Sequence, residues 1–544
     1  LILASVGFGA GAFALTIYLI EMSSKTSSDK DHVARIKKGF FNFGQIEKYF
    51  VNDQRDGVFQ VISDRTFQDL DLEDVFKFID RTVSCVGQQH LYYFMRVIPL
   101  GDARKERLEN VISIFQADPA LRTATTTEIS KLNKTDAYYI TSLFHGKYTP
   151  RPSWYWLIKI LSAASVLGVI MAFFLPQILI FLIVLLPVNL GIHYWNKNNL
   201  YQYGSSIPQL LILTQTARSI LKNPEFAAQN NALQAQVSLL DQLGLPMSIF
   251  KIEAKLQGEI GMFVDYVFEL FKALFLIEPV LLFTILKILD SKRQHIEDVF
   301  RFVAETDIAL STLALRESVP YACQPDIHSQ PKHLQIRDVY HPLIFDGVAN
   351  DLTLQVKSAL LTGSNMSGKT TFIRTVGINA LLGQTINTCF AHAFAMTAMK
   401  IHSSIRISDD LLGDKSYYFE EVLTIKNLLE ESRSGHSNLF LLDELFKGTN
   451  SVERIAIGKS VLSYLTQGNN LALASTHDRE LSDFLADTFD LYHFTEVIHQ
   501  DAVIFDYKLK PGKLVTTNAI RILELNDYPS EVVQEALILA AGNR

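Results

Sequence analysis

The chain has few of the residues that would staple a fold through sulfur or metal. Only three cysteines occur in 544 residues, Cys85, Cys323 and Cys389. They are far apart, odd in number and without C-x-x-C spacing, which argues against a disulfide framework and a thiolate metal site. They read as reduced thiols of a cytoplasmic protein. Excess positive charge is lacking too: 50 Lys and Arg stand against 57 Asp and Glu, a formal net charge of −7. That argues against bulk electrostatic attraction to nucleic acid, while leaving room for a local basic surface. Apolar residues, by contrast, make up 48% of the chain. This is high for a wholly soluble protein and invites a search for membrane spans.

Residues 1–20 carry no charge and are long enough to cross a hydrocarbon core of ~30 Å. A cleaved signal peptide would need a charged leading region and a small-residue cleavage site, and neither is visible. Residues 1–21 are therefore expected to form a transmembrane anchor. Leu1 is not an initiator Met, so the expectation leaves room for sequence upstream. A second stretch, Trp154 to Trp195, has no charged residue between Ile160 and Ile192. As one helix it would be ~63 Å long, about twice the bilayer core. Two spans joined near Leu175-Pro176-Gln177 fit better, with Trp154, Tyr155, Trp156, Tyr194 and Trp195 at the levels of aromatic belts. Lys147, Arg151, Lys159 and Lys197 flank the open ends and none lies at the tip, which puts both flanks in the cytoplasm. A buried hairpin of a soluble protein is the alternative. Phe271 to Leu289 is also apolar but is interrupted by Lys272, Glu278, Pro279 and Lys287. Such charges favour a buried or interfacial helix pair over a further span.

The organisation expected from these patterns is a transmembrane anchor at 1–21, a cytoplasmic helical region at 22–152 and a transmembrane hairpin at 153–197. A second helical region follows at 198–330, an α/β domain at 331–518 and a C-terminal helical element at 519–544. In the first helical region Leu72, Val75, Phe76 and Ile79 mark one apolar helical face, and His295 to Arg316 is again amphipathic. From about Leu334 short β-rich runs alternate with helices. Asn438–Glu444 and Asn470–Thr476 are continuous apolar runs of the kind buried on both faces of a parallel sheet.

The chemistry is concentrated around Ala359-Leu-Leu-Thr-Gly-Ser-Asn-Met-Ser-Gly-Lys-Thr-Thr-Phe-Ile-Arg374, a G-x-x-x-x-G-K-T pattern between a strand and a helix. Successive backbone N–H groups ending at a helix N-terminus hold phosphates. The expected nucleotide-binding residues are Gly363, Ser364, Asn365, Met366, Ser367, Gly368, Lys369, Thr370 and Thr371. Gly363 and Gly368 admit close backbone approach. Lys369 would reach the β- and γ-phosphates, and the Thr370 hydroxyl would ligate Mg²⁺. Asp443, at the tip of an apolar strand, would hold Mg²⁺ through water, and Glu444 would orient or deprotonate the attacking water. His477, after a further strand, stands where a γ-phosphate sensor would act. Glu444, Lys369 and His477 are the expected catalytic set, with ATP and Mg²⁺ as the ligands.

With these residues in view, the C-terminal domain resembles the MutS family of DNA mismatch repair ATPases, a branch of the ABC-type ATPases. The resemblance is carried by Thr362–Thr371, by Asp409-Asp-Leu411 with Gly413, Ser416 and Glu421, by Leu442-Asp-Glu444 with Gly448-Thr-Asn450, and by Ser475-Thr-His477. His341-Pro342, Asn350-Asp351 and the tail from Ala519 through Pro529 to Val532 are also family-like. Asp64 to Leu91 and Ile296 to Arg316 look like the two limbs of the MutS core. Together these cover about two-thirds of the chain, and the nearest likeness is to membrane-anchored MutS-like proteins with spans inside the core.

The fold this implies is an ABC-type P-loop ATPase domain preceded by an all-α core and lever region, itself interrupted by transmembrane helices. It also implies a homodimer through the ATPase domain, in which Ser416 of one subunit approaches the nucleotide of the other in trans. Glu453 would lie at the same interface. There is a departure: residues 1–63 are expected to be taken up largely by membrane sequence and linker rather than by the mismatch-reading N-terminal domain with its Phe-x-Glu motif, and Tyr417-Tyr418 replaces the usual Thr-Phe. The expected function is that of a multi-pass inner-membrane ATPase with its catalytic domain in the cytoplasm. It would act with DNA or repair-protein partners in mismatch binding, repair or recombination. The alternative is an ATP-gated tether or scaffold that does not bind DNA. An ABC transporter is disfavoured by the missing L-S-G-G-Q run and the small number of spans.

Overall fold

The computed structural model describes residues 37, 41–53, 57–241, 262–328, 330–364, 366–406, 417–446, 448–499, 502–514, 520, 523–524 and 528–542. The anchor expected at 1–21, together with Asn365 and Ser416, lies outside the described residues.

The stretch resembling the first core limb is built of three helices. Ser63 accepts from the Thr66 N–H and starts α1 (Asp64–Asp69). Asp71, at φ 51°, then breaks the chain before α2 (Leu72–Ile79). Leu72, Val75, Phe76 and Ile79 are all buried, as their spacing predicts. Ser84 caps α3 (Cys85–Arg96) through the Gly87 N–H, and α4 (Ala103–Ala117) follows. The expectation of an all-α region needs correction. Val58–Val61 pairs antiparallel with Val97–Pro99, because β-branched residues flank the helical segment at both ends and meet across its base.

Tyr155–Ala172 (α5) and Ile178–Gly204 (α6) are joined by a short turn at Pro176. Among the described residues these two helices are long and apolar enough to cross a membrane, and most of their side chains face outward. Ser206–Ile220 (α7) returns to the helical core. The apolar run beyond it is a helix pair, Met262–Leu274 (α8) and Ile277–Asp290 (α9), packed on α5 and α6. The long α10 (Arg293–Ser318) buries its apolar face against α3 and α4.

Two main sheets and a two-stranded antiparallel ribbon, Glu496–His499 with Ala502–Phe505, are found in the C-terminal part among the described residues. In the smaller, Asp326–His328 (β1), Leu334–Val339 (β2), Asn350–Leu354 (β3) and Ala393–Thr397 (β5) lie in the order β1-β5-β2-β3. The sheet thus begins ahead of residue 331. The larger contains Ser358–Thr362 (β4), Lys400–Ser404 (β6), Asn438–Asp443 (β7), Leu471–Thr476 (β8), Phe489–His493 (β9) and the short Lys510–Pro511 (β10). Its order is β10-β9-β4-β8-β7-β6, parallel except for β10. The central strands are buried at almost every position, with apolar residues along their middles, because both faces are covered. Their two-residue alternation divides two cores. Ala359, Leu361, Leu439, Leu441, Leu471 and Leu473 face Lys369–Thr385 (α11) and the helical core. Leu360, Phe440, Leu442, Ala472 and Ala474 face Tyr417–Glu431 (α12) and Ser451–Leu465 (α13). The first of these cores runs without a gap from Ile46 to Phe494, so the helical region and the sheet are packed as one body.

Candidate active site

The phosphate-loop sequence spans the C-terminal end of β4, at the middle of the large sheet, and the start of α11. Gly363 has φ 154°, and a Cβ there would come within 2.8 Å of the Phe494 carbonyl oxygen and of Ser367 Oγ. Gly368, at φ 105°, leads into α11 in a conformation that side chains disfavour. The loop is braced from within: Ser367 Oγ donates to the Ser364 carbonyl (2.8 Å) and Ser364 Oγ donates to Glu496 (2.7 Å). Lys369 is buried, and its Nζ donates to the carbonyls of Gly363 (2.9 Å) and Ser364 (2.8 Å). Thr371 opens α11 and lines the adjoining cavity. Met366 stands at φ 67° on the outer rim of the loop, 83% exposed.

Asp443 ends β7 beside the loop. Thr370 Oγ1 donates to its Oδ2 at 2.8 Å, and Ser475 Oγ donates to its Oδ1. In an ordinary strand the next side chain would point to the opposite face. Glu444 instead takes φ 50°, and its N–H donates to the Ser475 carbonyl at 3.1 Å. Left-handed backbone at a non-glycine residue costs about 1–3 kcal/mol and collects at functional sites. Here it turns Glu444 into the cavity that is also lined by Thr370, the hydrogen-bond partner of Asp443. Glu444 Oε1 lies 2.5 Å from His477 Nε2, bringing together residues from the ends of two neighbouring strands. The turn behind them is fixed by Glu421, which accepts the Phe446 N–H at 2.5 Å, and by Asp478, held by two bonds from Arg454 (2.8 and 2.6 Å).

The cavity beside the loop has a volume of about 540 Å³, and its far wall is formed by His341, Ile344, Phe345, Val348 and Tyr507. This wall suits an aromatic base, with the polar loop opposite. Burial, with the Arg374 guanidinium nearby, pushes the His341 pKa down to about 4, so its ring is neutral at physiological pH. Asn350 fixes Tyr507 by donating to its carbonyl (3.0 Å) while accepting the Leu509 N–H (2.8 Å). Sequence reading singled out His341 and Asn350 as family-like without assigning them to the cavity. It missed Glu496 and Tyr507 altogether. A buried Glu in the strand after Thr495 was the available signal for the first; Tyr507 offered none.

The donor set fits a hard divalent cation: the Thr370 hydroxyl and Asp443 carboxylate supply oxygens from two elements, the chemistry Mg²⁺ prefers. Of the expected site residues, the fold brings together Gly363, Ser364, Met366, Ser367, Gly368, Lys369, Thr370, Thr371, Asp443, Glu444 and His477.

A parallel sheet with a glycine-rich loop between its central strand and a helix, and an acid pair on a neighbouring strand, defines a P-loop α/β domain. Residues 359–541 match the family model of MutS domain V, so the C-terminal part of the chain is similar to that domain. The curated relatives agree. The DNA mismatch repair protein MutS of Natronomonas pharaonis is 28% identical over 261 residues, covering 46% of this chain and 30% of the relative. That of Thermus thermophilus is 28% identical over 258 residues, with the same coverage. That of Carboxydothermus hydrogenoformans is 30% identical over 232 residues, 40% of this chain and 27% of the relative. The chain therefore spans about a third of the length of the relatives it matches.

Proposed function

We propose that the chain is a membrane-anchored MutS-type ATPase that binds and hydrolyses ATP at a dimer interface and acts in DNA mismatch binding, repair or recombination. The observation that carries this reading is the convergence of Lys369, Thr370, Asp443, Glu444 and His477 at one end of the sheet. Lys369 exchanges its bonds to the loop carbonyls for phosphate oxygens. Thr370 and, through water, Asp443 would hold Mg²⁺, which would neutralise charge on the phosphates. Glu444 accepts a hydrogen bond from the attacking water and takes its proton, while His477 fixes the carboxylate and faces the γ-phosphate. Ser416 completes the site from the second subunit. The α5–α6 hairpin anchors the assembly, and its flanking Lys and Arg residues favour a cytoplasmic site.

Lys369→Ala is expected to abolish nucleotide binding. Glu444→Gln is expected to keep binding and to slow turnover by about 10²-fold or more, the scale of a lost general base. Unchanged turnover in the second variant removes Glu444 from the role.

The net charge of −7 favours a second reading, an ATP-gated membrane tether that leaves DNA unbound. Binding of the detergent-solubilised chain to homoduplex, mismatched and branched DNA across a salt series separates the two. Engagement through phosphates weakens steeply as salt rises. Absence of binding at low salt selects the tether.

A further inference from the structure

The helix pair α8–α9 runs beside the α5–α6 hairpin, and its contacts give its path. Along α8, Glu269 meets Lys197 and His193, while the Leu274 carbonyl accepts from Asn189 Nδ2 at 2.6 Å. The partners on α6 thus step back from 197 to 189 as α8 advances, so the two helices are antiparallel. Beyond the break, the Phe275 carbonyl accepts from Ser162 Oγ (2.7 Å), Val280 from Tyr155 (3.3 Å) and Phe283 from Arg151 (3.0 Å). The partners on α5 now step back from 162 to 155, and to Arg151 just before it, so α9 runs antiparallel to α5 and leaves on the side from which α8 entered. α9, with 14 residues, is about 20 Å long, short of a ~30 Å span. Ser162 lies seven residues into α5, about 10 Å from its start. The break therefore sits partway along the hairpin, well short of its tip.

Unpaired carbonyls in hydrocarbon cost several kcal/mol each, and irregular backbone survives there only when protein groups satisfy it. Asn189 and Ser162 supply that need, Asn189 bonding Ser165 as well (3.0 Å). Of the charges that argued against membrane entry, Lys272 and Glu278 are matched internally, while Lys287 is exposed in the last turn of α9. Lys272 Nζ lies 3.0 Å from Glu269 and 2.7 Å from Glu278, with His193 against both carboxylates, and Lys272, Glu278 and His193 are all buried. The ammonium holds the place that a metal ion would take between these acids. On the outside, Tyr266, Val267 and Phe271 are exposed and continue the apolar surface of α5 and α6. An open apolar groove between α5 and the break adds to it.

We propose that α8 and α9 form a re-entrant helical hairpin that dips into the lipid bilayer from the side of the α5–α6 flanks and contacts lipid through Tyr266, Val267 and Phe271. This rests on the membrane reading of α5–α6. The test uses the full chain in phosphatidylcholine liposomes, with Cys323→Ser as background and a nitroxide at Phe271→Cys, Val184→Cys on α6 or Asp290→Cys at the end of α9. Collisional relaxation by oxygen and by a water-soluble nickel complex is then compared. Oxygen is expected to dominate at 271 and 184, and nickel at 290. Oxygen at 184 with nickel, or neither reagent, at 271 overturns the hairpin while leaving α5–α6 in the membrane. Nickel at 184 overturns both. Val267→Cys repeats the measurement if Phe271→Cys does not fold.

Discussion

Glu444 and His477 come from separate strands and meet at 2.5 Å. A His beside a catalytic carboxylate sets the direction in which its free lone pairs point, so its removal costs turnover through misalignment. His477→Ala is expected to retain nucleotide affinity and to lose about ten- to a hundred-fold in turnover, a loss of the size that follows from an ångström-scale misplacement. Steady-state hydrolysis combined with equilibrium nucleotide binding checks it; a change confined to affinity counts against the positioning role. The ingredients were legible because each is adjacent in sequence to a strand end, and strand ends can be read from apolar runs. The left-handed backbone at Glu444 was not, because nothing in Leu-Leu-Asp-Glu specifies it. It is imposed by the Ser475 carbonyl and by Glu421 holding the turn beyond.

The start of α3 is held by a buried acid from a distant helix. Asp307 of α10 accepts from the N–H groups of Val83 and Ser84 and from the Ser84 hydroxyl. Burial nevertheless raises its pKa from 3.8 to about 6, the hydrogen bonds opposing the shift. The folded state thus holds this proton more tightly than the unfolded chain. Stability contributed by Asp307 is present below about pH 4, falls as pH rises towards 6, and is lost above it. Asp307→Asn resembles the protonated acid at every pH. Its melting temperature relative to the parent is therefore expected to rise between pH 4 and pH 7, as followed by thermal unfolding in detergent. A pH-independent difference would show that Asp307 does not titrate in this range. Helix positions such as those of α2 and α10 were readable from their apolar spacing. The partners of Asp307 were not, since they lie more than 220 residues away.

Across the whole molecule, the corner between α1 and α2 grips the P-loop domain. Asp69 accepts from Ser403 Oγ and from the N–H groups of Ile405 and Arg406. Asp71 faces Arg374 of α11 (3.2 Å) and Arg406 (2.8 Å). One carboxylate of the core thus touches both the helix that begins at the phosphate loop and the strand leading to residues 407–416. If nucleotide moves the core as a lever, this is the linkage. Asp71→Ala is expected to shift nucleotide affinity by less than ten-fold, yet to erase ATP-dependent changes in amide exchange over α1 and α2. Retention of those changes would assign the coupling elsewhere. None of this was legible in the sequence: the α1–α2 break has no glycine or proline to announce it, and Gln60 pairs with the backbone of Ile401 across 341 positions.

Gly377 lies in the middle of α11, where a Cβ would come within 2.4 Å of Leu441 on β7 and 3.0 Å of Leu70 at the end of α1. Only a hydrogen atom fits between the phosphate-loop helix and its neighbours on either side. A side chain at this position would have to displace Leu441 and Leu70 together, loosening the phosphate-loop helix from the sheet and from the core at once.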